Sequence, residues 1–123
     1  MVGGGKDREE MKIYISGAIT NCQNYMQKFV NVERYLLENY SDCEVINPAM
    51  INSFLPKSTT HDEYMKMSFT MLDMADAIFM LADWRNSCGA SQEYGYAMAK
   101  DKIILFEETE NACIDELLNG EEG

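Results

Sequence analysis

The sequence predicts an α/β domain of the doubly wound (Rossmann/flavodoxin-like) kind, with a parallel sheet of four to five strands. Three observations carry that prediction. Short apolar runs alternate with helical patterns along the chain, giving the order β-α-β-α-β-α-β. The helical patterns are 12 to 18 residues long, enough to cross from one parallel strand to the next. One run, "DAIFML" at 76–81, is apolar almost throughout, as a strand covered on both faces requires.

Residues 1–10, "MVGGGKDREE", have no periodicity and read as a flexible leader, leaving 11–123 as the domain. "KIYIS" at 12–16 is the first strand, stopped by Gly17. Tyr25, Phe29, Val32 and Leu36 recur at spacings of four, three and four, which marks an amphipathic helix. "CEVINP" gives a second strand ended by Pro48, and 47–59 reads as a loop holding both prolines of the chain. Loops of that length in a small domain are commonly functional. Thr60 and Glu63 have the spacing of a capping box and open the next helix, whose apolar side carries Tyr64, Met71, Leu72 and Ala75, with Ser68 among them. After "DAIFML" comes "NSCGASQEYGYA", a small-residue turn running into a helix that ends near Lys100. "KIILFE" is a further strand, and a weak helical pattern over 112–118 closes the chain.

With 123 residues and 46% apolar content, the chain can build one apolar core without disulfide or metal staples. Four separated cysteines (Cys22, Cys43, Cys88, Cys113) and a single histidine, His61, offer no zinc framework, and free thiols fit a reducing cytoplasm. No apolar run approaches the roughly 18 residues of a membrane span, and no secretory leader is visible, so a cytoplasmic protein that does not engage membranes is expected. The net charge of −11 is uneven: seven of the 21 acidic residues fall in 107–123, where no basic residue occurs, and read as a solvated end. A basic stripe for phosphate backbones is missing, which argues against polymeric DNA or RNA and leaves a small nucleoside or nucleotide possible.

In a parallel sheet of this kind ligands bind beyond the carboxyl ends of the strands. The loops reaching that edge are 17–24, 47–59 and 83–89. If Asn86 or Ser87 caps the third helix, Glu93 falls in its second turn, on the side marked by Ala90, Tyr94, Ala97 and Met98. Glu93 then faces inward or into the crevice, and a carboxylate there needs a partner or a purpose. The competing reading is an ordinary glutamate at the edge of a packed helix face. The amides near Gly89 can hold a phosphate.

"IYISGAIT", "VINPA", "MADAIFMLADW" and "SCGASQEYGYAMAKDKIIL" together resemble the nucleoside 2-deoxyribosyltransferase-like superfamily, in its small phage and bacterial DUF4406-type branch. The resemblance spans 12–106, and its most specific element is Trp84-x-x-Ser87-x-Gly89-Ala90-x-x-Glu93. It implies a nucleotide or deoxynucleoside N-glycosidase or deoxyribosyltransferase. Glu93 would be the nucleophile at the anomeric carbon and Tyr14 would orient it. Gly17 would let the ligand approach, and Ser87 and Gly89 would hold a 5′-phosphate. The resemblance further implies a homo-oligomer, whose sites are often completed by a partner chain, and no metal or organic cofactor.

One position departs from the family pattern. The family carries a sugar-contacting aspartate that helps protonate the leaving base, eight residues before the Asp opening the third strand; here Ser68 occupies it, counting from Asp76. Eight helical residues span about 12 Å, so Ser68 reaches the binding edge, but a hydroxyl is a poor general acid at neutral pH. Asp73 lies too far down the helix, whereas Asp62, Asp83 or a neighbouring subunit are possible substitutes. A protein that binds a nucleotide or nucleotide signal without cleaving it is therefore the alternative, and a vestigial crevice on an interaction protein is a third. Trp84 either stacks on a base or covers the core edge, Asn21 and Asn24 either cap the first helix or touch a ligand, Tyr94 reads as packing and Tyr96 stays open. Asp76 reads as a strand-entry or helix-end residue rather than a catalyst, His61 as a first-turn surface residue, and the ten methionines as core filler.

Overall fold

Strand alternation in "IYIS" decides which helix each residue of the first strand meets. The computed structural model describes residues 11–20 and 22–108. The leader 1–10, Asn21, Cys113 and the pattern over 112–118 lie outside the described residues. The elements are β1 (Lys12–Ser16), α1 (Tyr25–Asn39), β2 (Glu44–Ile46), α2 (Pro48–Asn52), α3 (His61–Met74), β3 (Ala77–Met80), a 3₁₀ turn (Trp84–Asn86), α4 (Cys88–Ala99) and β4 (Ile103–Phe106). All strand pairs are parallel, in the order β2-β1-β3-β4. The fold is the expected doubly wound α/β domain, with four strands among the described residues.

Each face of the sheet has its own core. Ile13 and Ile15 of β1 and Ala77 and Phe79 of β3 meet Phe29, Val32 and Leu36 of α1. Tyr14 of β1 and Ile78 and Met80 of β3 point the other way, into a core with Met71, Leu72, Ala90 and Ala97 of α3 and α4. β1 pairs with β3 from Ile13↔Ala77 to Ser16↔Met80, so Tyr14 and Ser16 face α4 from the central pair of strands. The chain leaves β1 toward α1 on one face and leaves β3 toward α4 on the other. A crevice opens where such connections diverge.

Two expectations are corrected. The loop 47–59 contains α2: Asn47 accepts the Met50 amide at its side chain and Pro48 takes the first helical turn. Asn-Pro is a helix start as well as a strand stop, because proline's missing N–H costs nothing at that position. On α4 the packed side is Ala90, Glu93 and Ala97, and Met98 is 52% exposed rather than buried. The capping box on α3 forms as expected, with Thr60 and Glu63 bonding each other's backbone amides. No helix among the described residues is long and apolar enough to cross a membrane.

Gly17, which follows β1, is glycine for a packing reason. A Cβ there would lie 2.5 Å from Leu81 Cδ1 and 2.8 Å from Leu81 Cβ, and Leu81 is fully buried. Gly17→Ala is expected to destabilise the chain by about 1–3 kcal/mol, the usual cost of overpacking. At Gly89 a Cβ would meet nothing closer than Met65 Sδ at 3.6 Å, an ordinary contact. Gly89→Ala is therefore expected to melt within a degree or two of the parent while filling space at the crevice. Thermal denaturation of the two variants side by side checks the contrast.

Candidate active site

Four pieces of chain converge on one crevice of about 240 Å³, a little under the roughly 300–1,000 Å³ of typical small-molecule sites. Gly17, Ile19 and Thr20 come from the segment after β1, and Pro48, Ala49 and Asn52 from α2. α3 contributes His61, Tyr64, Met65 and Ser68, and α4 contributes Ser87, Gly89, Ala90 and Glu93 at or after its cap. Tyr25 and Phe29 of α1 complete an apolar wall beside Ile19 and Ala49.

Glu93 lies at the floor, 8% exposed. Tyr14 Oη donates to its Oε2 at 2.8 Å, and Ser16 Oγ donates to its Oε1 at 2.5 Å. Tyr14 and Ser16 are neighbours on one face of β1, so strand alternation aims both hydroxyls at one carboxylate. Burial raises the Glu93 carboxyl above its ordinary range, and hydrogen bonds from Ser16, Tyr14 and Ser68 work against that rise. The Tyr14 phenol is held well above its ordinary value, by burial first and then by the Glu93 charge, so it stays protonated and donates. Ser68, 4% exposed, lies beside both groups. A buried carboxylate whose two oxygens are fixed by neutral donors can serve as a nucleophile held in one orientation.

The rim is held by charge. Asp83 accepts from the Ala18 amide at 3.1 Å and pairs with Lys28, which also donates to the Ala18 carbonyl at 3.3 Å. Partial burial works against the Lys28 ammonium, but the hydrogen bond and charge of Asp83 outweigh it and hold the amine protonated. This clamp ties the segment after β1 to the one after β3. Glu107 accepts from the Ala82 amide at 2.7 Å and Glu108 meets Arg85 at 3.4 Å, so the start of the acidic end fastens the same segment.

The family model described as "Domain of unknown function (DUF4406)" matches residues 11–106. The chain belongs to the DUF4406 family. No curated protein matches it. The family name carries no activity, so the chemistry of this DUF4406 chain rests on its own residues.

Of the residues singled out in the sequence, the crevice brings together Tyr14, Gly17, Ser68, Ser87, Gly89 and Glu93. Trp84 is not among the lining residues: its ring packs at 4.6 Å from Tyr94 and 6.3 Å from Phe106, at the edge of the core. Ser87, not Asn86, caps α4, accepting the Ala90 amide at 3.1 Å. The carboxylates considered as stand-ins for the residue at 68 are occupied or remote. Asp83 is in the clamp, Asp73 accepts from Tyr96 at 2.6 Å, and Asp62 is exposed on α3 outside the lining. Asp76 binds the Lys12 amide at 2.9 Å at the opposite end of the strands, as a strand-start residue should.

Ser16 went unnoticed in the sequence although the signal was present, since it shares a strand face with Tyr14. Asn52 was concealed by reading 47–59 as a loop; its Oδ1 is buried with no hydrogen-bond partner among the described residues. His61, read as a surface residue, is exposed yet lines the crevice, with its Cε1 3.9 Å from where a Gly89 Cβ would sit. Among the described residues no cluster of His, Cys, Asp and Glu could hold a metal ion.

Proposed function

We propose that this chain breaks the bond between sugar and base in a nucleoside or nucleotide, as an N-glycosidase or 2-deoxyribosyltransferase, through Glu93. The observation that carries the reading is the Glu93 carboxylate, buried at the floor of a crevice with one oxygen held by Tyr14 and the other by Ser16. A carboxylate fixed this way can attack an anomeric carbon and hold the sugar as an ester, as in retaining glycoside hydrolysis. The apolar wall of Tyr25, Phe29 and Ile19 suits a flat base, and the start of α4 at Ser87 and Gly89 suits an anionic group.

Ser68 favours a second reading, binding without cleavage, because a hydroxyl stands beside Glu93 where a carboxylic acid would otherwise serve. The test is chromatography of free base released from a panel of deoxynucleosides, ribonucleosides and their 5′-monophosphates. Release of any base supports the glycosidase. Thermal stabilisation by one of these compounds without release supports the binding protein, and neither effect leaves the crevice without a nucleotide role.

A further inference from the structure

We infer that Asn52 is the residue that reads the base, its carboxamide binding the N–H-bearing edge of a base seated against Tyr25, Phe29 and Ile19. This rests on the nucleoside reading of the crevice and deepens it. The starting observation is an acceptor without a donor. Asn52 Oδ1 is covered and has no hydrogen-bond partner among the described residues, although Asn52 lines the crevice. An acceptor covered in this way has lost its water and gained no bond in return. An N–H from a ligand is the group that satisfies it.

The fold sets this carboxamide at the wall given to the base. Ala49 packs in the same apolar cluster as Phe29, with Ile19 and Tyr25 against it, and all four line the crevice. Asn52 follows Ala49 by three residues on α2, which sets the two side chains beside each other on one face. Ala49 is buried and Asn52 only half-buried, so the carboxamide stands where the wall meets the open crevice. At the anionic end, the nearest groups to a Cβ at Gly89 belong to Met65, His61 and Ser87, and none of them to α2.

Two asparagines bracket α2, and their difference sharpens the assignment. Asn47 uses both ends of its carboxamide: Oδ1 accepts from the Met50 amide at 3.2 Å, and Nδ2 donates to Glu33 Oε1 at 3.0 Å. It caps α2 and fastens it to α1. The backbone of Asn52 is fixed as well, its carbonyl accepting from the Leu55 amide at 3.0 Å, but its Oδ1 holds nothing. That oxygen gives up no bond when the carboxamide turns about its last torsion, a soft one in asparagine. Ser53, the other polar residue that the end of α2 brings to the crevice, already donates to the Met50 carbonyl at 2.6 Å. A carboxamide offers an acceptor and a donor side by side, the complement of an N–H next to a ring nitrogen or carbonyl on a base.

The experiment uses pairs of nucleosides that differ in an edge N–H: 2′-deoxyadenosine and purine 2′-deoxyriboside, 2′-deoxycytidine and pyrimidin-2-one 2′-deoxyriboside, thymidine and its 3-methyl form, 2′-deoxyguanosine and its 1-methyl form. Base release and dissociation constants are measured for the parent chain and for Asn52→Leu, which keeps the size of the side chain and cannot hydrogen-bond. Comparing variant with parent on each compound cancels the differing lability of the bases themselves. Asn52→Leu is expected to lower kcat/KM for the favoured base by about 10–100-fold and to leave the analogue without the N–H within a few-fold of the parent. It should melt no lower than the parent, because an apolar group replaces an unsatisfied acceptor. Equal loss on both members of a pair, no loss on either, or melting several degrees below the parent would overturn the assignment and leave Glu93 as nucleophile. No release by the parent, with binding that follows the same pattern, would remove the glycosidase reading and keep Asn52 as the reader of the base. Neither release nor binding of any compound would remove both.

Discussion

Glu93→Gln is expected to stop base release and to make the protein more stable at neutral pH. The loss should be at least about 10³-fold, since an amide cannot form the glycosyl ester and what remains is positioning alone. The gain follows from burial. The folded chain raises the Glu93 carboxyl above its ordinary 4.5, which means that the ionised form is penalised by folding more than the protonated form. Below pH 4.5 both states carry the proton and the penalty is absent. It grows as pH rises from 4.5 through the raised folded value and is fully present above that. Glutamine never ionises, keeps an oxygen for one hydroxyl, and offers an N–H to the other, which can rotate to accept. A gain of about 0.5–2 kcal/mol is the usual scale for relieving a functional residue. Melting of parent and variant at pH 7 and pH 5 should show the variant ahead at pH 7 and the gap narrowing at pH 5. A variant that melts earlier at pH 7 would mean that the carboxylate holds the fold together, and the picture of a charge kept for chemistry would fail.

The fold was legible because its signals are local. "KIYIS" and "DAIFML" supply β1 and β3, and the Tyr25–Phe29–Val32–Leu36 spacing supplies α1 with three of the four buried. Thr60 and Glu63 set the start of α3. Misreadings occurred where one residue carries two meanings. Asn47-Pro48 both ends a strand and starts α2, and Met98 lies only one residue beyond the buried line of α4. The site was partly legible for the same reason. Glu93 stood out by its position on α4, and Tyr14 followed from the resemblance. Ser16 and His61 join the site through the pairing of β1 with β3 and the approach of the α3 start to Gly89, which are relations across distance that no short stretch encodes. Gly17 shows the converse. A role in ligand approach was expected, and Leu81 gives it a reason internal to the fold.

The hydroxyls of Tyr14 and Ser16 should set the pH at which the proposed base release proceeds. Each favours the ionised form of Glu93, so removing either raises that carboxyl further, and the acidic limb of the pH–rate profile moves to higher pH. Tyr14→Phe keeps the buried ring and Ser16→Ala removes one oxygen from a fully covered position, so each isolates a single donor. A hydrogen bond to a charged group contributes about 1.5–3 kcal/mol, which corresponds to about 10–160-fold in rate at neutral pH for each donor lost. The double variant should be the slowest and should recover most as pH is raised. Its stability should change with the opposite sense: the proton is bound more tightly in the folded chain, so the deficit against the parent is greatest above the raised folded value and shrinks as pH falls toward 4.5. Base release by parent, single and double variants across pH 5–9 separates two roles that a single rate cannot. If the hydroxyls only point the carboxylate, the plateau falls and the limb stays where it is. If they hold its charge, the limb itself moves, and the two donors of β1 are then what allow a glutamate this deeply buried to be a nucleophile at all.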